Sequence, residues 1–279
     1  MVLKIIIFYF DFTNQLKEFK KLFMDTKYYV INLDRSKERL QDISLQFSKQ
    51  SLKLERVVAV DGQVLELNDT ADDNEFRKEM GRSIQPGEVG CFLSHRRALE
   101  AFILSNAEFA VILEDDAVLE DGFAEHINAL SSFLLNNSHL GTCAINLGPS
   151  DYKYSTLLTK IGKTELLRAH RFPMRTTGIL WTRQGAVDIL NDNGKVKYPY
   201  DNYLRMKLTR GHFGLSICPP LISSSDVTSV IDTGNNSTGR SHQNRSRFYF
   251  LIKQKRILRD KIIAIFSIIK WKFQRLNIE

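Results

Sequence analysis

Three consecutive acids, Glu114, Asp115 and Asp116, follow the five-residue apolar run Phe109-Ala110-Val111-Ile112-Leu113. A short apolar run bounded by charge predicts a buried strand, central in a sheet covered on both faces. The acids sit where that strand leaves the core. In an open α/β sheet, ligands bind in the crevice beyond the carboxyl ends of the strands, so these carboxylates are expected to face a substrate. Alternating side chains cannot all point one way, and one or two of the three are expected to reach it. Carboxylate oxygens are hard ligands that suit Mg²⁺ or Mn²⁺ bridged to phosphate. The plainer alternative is an acidic strand end followed by a solvated turn.

A second group with chemical potential is Asn32-Leu33-Asp34-Arg35-Ser36, which follows the β-rich run Tyr28-Tyr29-Val30-Ile31 and precedes a helical pattern over 37–50. A helix N-terminus after a strand is a ready phosphate site, to which Arg35 or Arg39 adds charge. The alternative is that Asp34 or Ser36 only caps the helix. His95 falls three residues after Phe92 and four before Leu99, close to an apolar face, so a hydrogen-bonded structural histidine competes with a functional one. Asp201 follows Tyr198-Pro199-Tyr200 and is placed as the N-cap of a helix over 202–208.

These residues need a frame, and the rest of the chain supplies alternating strand and helix signals. A strand is expected over 54–60, and then a mobile polar excursion over 63–86, of the kind that forms lids or binding loops, with room for a short helix. Pro86-Gly87-Glu88 opens a helix over 89–104, and a further helix over 122–135 follows the acidic strand. Strands are expected over 142–147, 166–170, 179–182 and 215–218, with a helix over 183–190. The stretch 151–164 shows no clear period. This is an α/β pattern.

With 279 residues and 43% hydrophobic content, the chain can fill a large core. Cys91, Cys143 and Cys218 are scattered and odd in number, which predicts reduced thiols in a cytoplasmic protein. From Arg240 onward eleven Lys or Arg face only Asp260 and Glu279, a net of +9, so the total of +7 leaves the first 239 residues at −2. Nucleic acid is therefore an unsuitable partner for the main domain. The tail over 245–277 interleaves these cations with Leu251, Leu258, Ile262, Ile265, Ile269 and Phe273, and reads as a basic amphipathic helix lying on an anionic membrane surface. The alternative is a helix docked on the domain. The apolar run Met1 to Phe10 is too short to cross a bilayer. The expected organisation is an N-terminal extension (1–26), a catalytic domain (27–239) with a Ser/Thr/Asn/Gly-rich linker near its end (223–241), and the tail (240–279). The expected location is cytoplasmic, peripheral on the inner membrane.

Taken in order, Tyr29 to Ser36, Gly87-Glu88-Val89-Gly90-Cys91-Phe92-Leu93-Ser94-His95, Val111 to Asp116, Gly178 to Leu190 and Pro199-Tyr200-Asp201 resemble glycosyltransferase family 25, the bacterial lipooligosaccharide and lipopolysaccharide sugar transferases with collagen-modifying relatives. The resemblance implies a Rossmann-like type A glycosyltransferase fold, with a mixed, mostly parallel sheet and helices on both faces, and an inverting transfer of a hexose, most often galactose from UDP-galactose. It implies a lipooligosaccharide or lipopolysaccharide acceptor and a Mn²⁺ or Mg²⁺ cofactor. It places Asp115 and Asp116 at the metal and makes Asp201 a candidate site carboxylate, expected to be the acceptor-side base. Donor contacts would fall to Asn32, Leu33, Asp34, Arg35, Ser94, His95, Glu114, Asp115 and Asp116. Neither the first 26 residues nor the tail matches the pattern. Two other readings compete: a nucleotidyltransferase, for which the loop 32–37 lacks glycine, and a non-catalytic membrane-associated carbohydrate-binding protein, against which the three retained acids argue.

Overall fold

The structure is a computed structural model, and it describes residues 26–149, 151–210, 213–225 and 245–276. Strand β1 (Thr26–Asn32) is buried along its last five residues and leads into helix α1 (Lys37–Lys49), which buries Ile43 and Phe47. Strand β2 (Glu55–Val58) follows. The polar excursion beyond it is folded: it holds α2 (Leu67–Thr70) and α3 (Asp73–Met80), and Phe76 and Met80 are buried. Asp72 caps α3 by accepting from the Glu75 N–H at 3.0 Å, and Gly81 ends it at φ 72°, a conformation that costs glycine little. The apolar residues there are too few to reveal this packing by periodicity.

Helix α4 (Pro86–Leu104) starts with Pro in its first turn, and the Gln85 N–H donates to Glu88 Oε2 at 3.0 Å. Strand β3 (Phe109–Glu114), the short β4 (Ala117–Leu119) and α5 (Phe123–Asn136) come next, then β5 (Thr142–Asn146). The aperiodic stretch after it forms β6 (Ser155–Ile161), hairpinned to β7 (Thr164–Ala169) through a turn with Gly162 at φ 60°. β6 is an edge strand with no fully buried residue, so it carries no apolar alternation to read. β8 (Gly178–Thr182), α6 (Arg183–Leu190), α7 (Tyr200–Arg210), β9 (Phe213–Cys218), β10 (Ile222–Ser224) and the long α8 (Tyr249–Leu276) complete the chain.

Eight strands make one sheet in the order β2-β1-β3-β8-β5-β9-β7-β6. Only β8 and β7 run against the others, so the sheet is mixed and mostly parallel, as expected. One face buries Tyr29, Ile31, Ile112 and Trp181 against α3, α4, α6 and α7; the other buries Val30, Val111 and Leu113 against α1 and α5. From β1 the chain crosses by α1 to the outer strand β2, then returns by α4 on the opposite face to β3. That reversal opens a crevice at the carboxyl ends of β1 and β3.

The tail is a docked helix. Ala264 is fully buried, Arg259 pairs with Glu79 of α3 at 2.9 Å, and the Ser267 hydroxyl lies 2.9 Å from His170 Nδ1 just beyond β7. Leu251, Leu258, Phe266 and Phe273 stay exposed on its outer side. No described helix is long and apolar enough to cross a membrane. The N-terminal extension, apart from Thr26, and all of the linker beyond Ser225 lie outside the described residues.

Candidate functional site

The crevice holds a cleft of about 270 Å³ lined by Leu33, Arg35, Arg39, Asp61, Ser94, His95 and all three acids of the β3 end, among others. The acids differ in what holds them. Glu114 ends β3 and accepts from Thr176 Oγ1 at 2.6 Å and from His95 Nε2 at 3.2 Å. Burial pushes its carboxyl up, but the bonds from His95 and Thr176 outweigh that and hold it below its usual value. Asp115 turns toward β1 and α1: it accepts from Asn32 Nδ2 at 2.7 Å and from Arg39 at 3.3 Å. Asp116 has a buried Oδ1 with no hydrogen-bond partner, and burial, reinforced by Glu114 and Asp115, pushes its carboxyl up to about 6.

An orphaned carboxylate oxygen beside two other acids is a site short of positive charge. Asp116, with Asp115 next to it, therefore fits a hard divalent cation such as Mn²⁺ or Mg²⁺. Held there by Asp115 and Asp116, such an ion would supply positive charge to the anionic oxygens of a ligand in the cleft.

Helix α4 forms the opposite wall. Ser94 donates to the Gly90 carbonyl at 2.6 Å and accepts from the Val60 N–H at 2.8 Å, tying the loop after β2 to the helix. The backbones there touch: a Cβ on Gly62 would lie 1.9 Å from the Pro86 carbonyl oxygen, and one on Gly90 2.6 Å from that of Val60. That loop presents Asp61, which pairs with Arg35. His95 is buried, stacks on Tyr200 with centroids 4.2 Å apart at 18°, and donates from Nε2 to Glu114. It is therefore both packed and at the site.

The structure brings most of the expected donor residues together, with two exceptions. Asn32 lies beneath the cleft, bonded to Asp115, to the Ser36 carbonyl at 2.9 Å and to Arg56, and acts by orienting Asp115. Asp34 is not part of the lining and pairs with Arg56 at 2.6 Å. Ser36 precedes α1 without a side-chain capping bond.

Asp201 is not the N-cap expected of it: α7 already begins at Tyr200, so Asp201 lies inside the first turn. Its Oδ1 accepts from the Asn202 N–H at 2.6 Å and from Asn202 Nδ2 at 2.9 Å. Burial raises its carboxyl above the usual value, against those two bonds and the nearby Arg205. It does not line the cleft directly, but its charge reaches Cys91, which does. A buried carboxylate with a raised pKa is a better base than a capping one.

Cys91, Gln85 and Thr176 were not singled out as site residues by sequence reasoning. Thr176 belongs to the turn before β8, and only its bond to Glu114 marks it. Cys91 is four residues before His95, a spacing that puts both on one helix face.

The model of glycosyltransferase family 25 (LPS biosynthesis protein) matches residues 25–204. A glycosyltransferase 25 family member of Aedes aegypti is 29% identical over 186 residues, covering 63% of this chain and 30% of that protein. Procollagen galactosyltransferase 2 of Homo sapiens is 30% identical over 111 residues, 37% of this chain and 17% of that protein. A probable inactive glycosyltransferase 25 family member 3 of Rattus norvegicus is 38% identical over 55 residues, 20% of this chain and 10% of that protein. The chain thus spans under a third of the length of these relatives.

They also overturn one expectation. These relatives are animal proteins, and the tail that was to hold the protein on a bacterial inner membrane is packed on α3 and bonded to His170. The cytoplasmic, inner-membrane placement is withdrawn on both grounds.

Proposed function

The chain belongs to glycosyltransferase family 25, and from that premise we propose that it moves galactose from UDP-galactose to an acceptor hydroxyl, with inversion and with a divalent cation bound at Asp115 and Asp116. The observation that carries this reading is the orphaned, buried Asp116 oxygen at the end of β3, beside two further acids in the cleft.

Arg35 and Arg39 at the start of α1 are placed to attract the diphosphate, and Asn32 holds Asp115 in position. Glu114, fixed by His95 and Thr176, forms the floor between the nucleotide side and α7. Asp201 takes the acceptor proton: its raised pKa favours proton uptake while the acceptor oxygen attacks the anomeric carbon from the face opposite the leaving diphosphate. For the acceptor, the family description points to lipopolysaccharide and the human relative's name to procollagen, and both belong in the assay.

The test is transfer of labelled galactose from UDP-galactose with Mn²⁺, with EDTA, and with Mn²⁺ restored, across both acceptors. Expected are loss in EDTA and recovery with Mn²⁺. Full transfer in EDTA would remove the cation from the reading. A chain that binds UDP-galactose but neither transfers nor hydrolyses it would be a carbohydrate-binding protein and not a transferase.

A further inference from the structure

Cys91, His95 and Glu114 bring a thiol, an imidazole nitrogen and a carboxylate oxygen within 4.8 Å of one another. Cys91 and His95 share one face of α4, Glu114 ends β3, and all three line the cleft. We propose that they form a second cation site, for a thiophilic divalent ion of the Zn²⁺ class, distinct from the oxygen-ligand site at Asp116 and with its remaining position open to the cleft. The proposal stands apart from the transferase reading, since it concerns binding alone.

The ligand set is the first argument. One thiolate, one imidazole and one carboxylate suit Zn²⁺ and Co²⁺, whereas Mg²⁺ and Mn²⁺ prefer the all-oxygen site two residues along. Geometry is the second. Zinc bonds of about 2.0–2.3 Å at tetrahedral angles separate the ligand atoms by roughly 3.3–3.8 Å. His95 Nε2 and Glu114 Oε1 are already 3.2 Å apart, so only the Cys91 sulfur has to close in, by up to about an ångström. A rotation about its Cα–Cβ bond on a rigid helix supplies that movement.

The third argument is the His95 ring. Nε2 now donates to Glu114, while the buried Nδ1 has no partner. Moving the proton to Nδ1 breaks no bond there. It frees the Nε2 lone pair for a metal and gives up only the bond to Glu114, whose oxygen becomes the next ligand. Burial and the nearby acids hold the Cys91 thiol well above its usual range, so it releases its proton to solvent only as the sulfur binds the cation, whose charge Glu114, Glu88 and Asp201 then compensate.

Cobalt is the probe, because a Co²⁺–thiolate bond gives a charge-transfer absorption that oxygen ligands do not. The full chain is titrated with Co²⁺ in excess Mg²⁺, which keeps the oxygen site filled. Expected are a stoichiometric charge-transfer band with the visible bands of a four-coordinate ion, both abolished by one equivalent of Zn²⁺. Cys91→Ser should lose the band and Asp116→Asn should keep it. His95→Ala should weaken cobalt binding by more than the roughly 10–100-fold that losing an outer-sphere partner costs. A Cys143→Ala/Cys218→Ala double variant, which retains Cys91 alone, should keep the band and so guards against a Cys91→Ser protein that fails to fold. Absence of the band in the wild-type chain overturns the proposal, as does its survival in Cys91→Ser or its loss in the double variant. No readout needs turnover, so a failed transfer assay and a failed metal site are told apart.

Discussion

Asp116 is kept ionised at a cost to the fold. Its carboxyl titrates near 6 in the folded chain because burial and two neighbouring acids oppose its charge, against about 3.9 when unfolded. Between those values the unfolded state holds fewer protons, so stability falls as pH rises from about 4 to about 6. After discounting for partial exposure, the penalty at neutral pH is about 1–2 kcal/mol. Asp116→Asn should therefore melt a few degrees higher than wild type at pH 7 in the absence of metal while losing cation-dependent transfer; a lower melting temperature would make the acid structural. At Asp201 a different balance holds. Asparagine keeps the shape and removes the base, so Asp201→Asn should retain its melting temperature and UDP affinity and lose about 10² to 10⁴ in turnover. Near-normal turnover would leave Asp201 as a buried first-turn residue of α7. The three acids were legible in the sequence because a charge cluster after an apolar run is a local pattern. The partners that sort them were not: Thr176 and Asn32 are far from them along the chain, and spacing does not report contacts through space.

Among the elements, α8 shows most clearly what amphipathic pattern leaves open. A stripe of Leu and Ile with a basic face fits a lipid surface or a protein surface equally, and the deciding residues are the small ones, Ala264 and Ser267, which let the helix come close. His170 meets it there, between Ser267 and Thr156, and burial, helped by Arg168, lowers its pKa to about 4. A base with a depressed folded pKa is neutral when folded and protonates on unfolding between about 6.5 and 4. Stability contributed at neutral pH is therefore lost as pH falls through that window, on the order of 2 kcal/mol. Melting temperatures from pH 7.5 to 4.5 should fall more steeply for wild type than for His170→Gln; equal slopes would place the titration elsewhere. Of the β6–β7 hairpin, β7 was expected and only β6 escaped the sequence, for a related reason. β6, at the sheet's edge and intermediate or exposed throughout, has no buried face to impose a period, whereas β1, β3 and β8 announced themselves by their apolar runs.

For the molecule as a whole, the sheet carries apolar cover on both faces, and α8 is bonded both to α3 and to His170 just beyond β7. The chain has two tryptophans, and they report on these parts separately: Trp181 is fully buried in β8 at the centre of the sheet, and Trp271 sits on α8 against His170. Fluorescence of Trp271→Phe and Trp181→Phe should give unfolding transitions that coincide with the circular dichroism of each variant. An earlier transition for Trp271 alone would make α8 a separable unit. The α/β class, the strand–helix alternation and the crevice position followed from periodicity, because each depends on which residues must leave water. The docking of α8 did not, because it depends on a partner surface.

The backbone contact of Gly62 with Pro86 and of Gly90 with Val60 also bears on how a ligand arrives. Where the loop after β2 and α4 meet atom to atom with no side chain between them, they cannot part without tearing the Ser94 bridge, so this side of the cleft is a single piece. A nucleotide then meets a formed site. In stopped-flow mixing, the observed rate of UDP association should rise in proportion to its concentration; a plateau would reveal a slow opening step that these two glycines were thought to forbid.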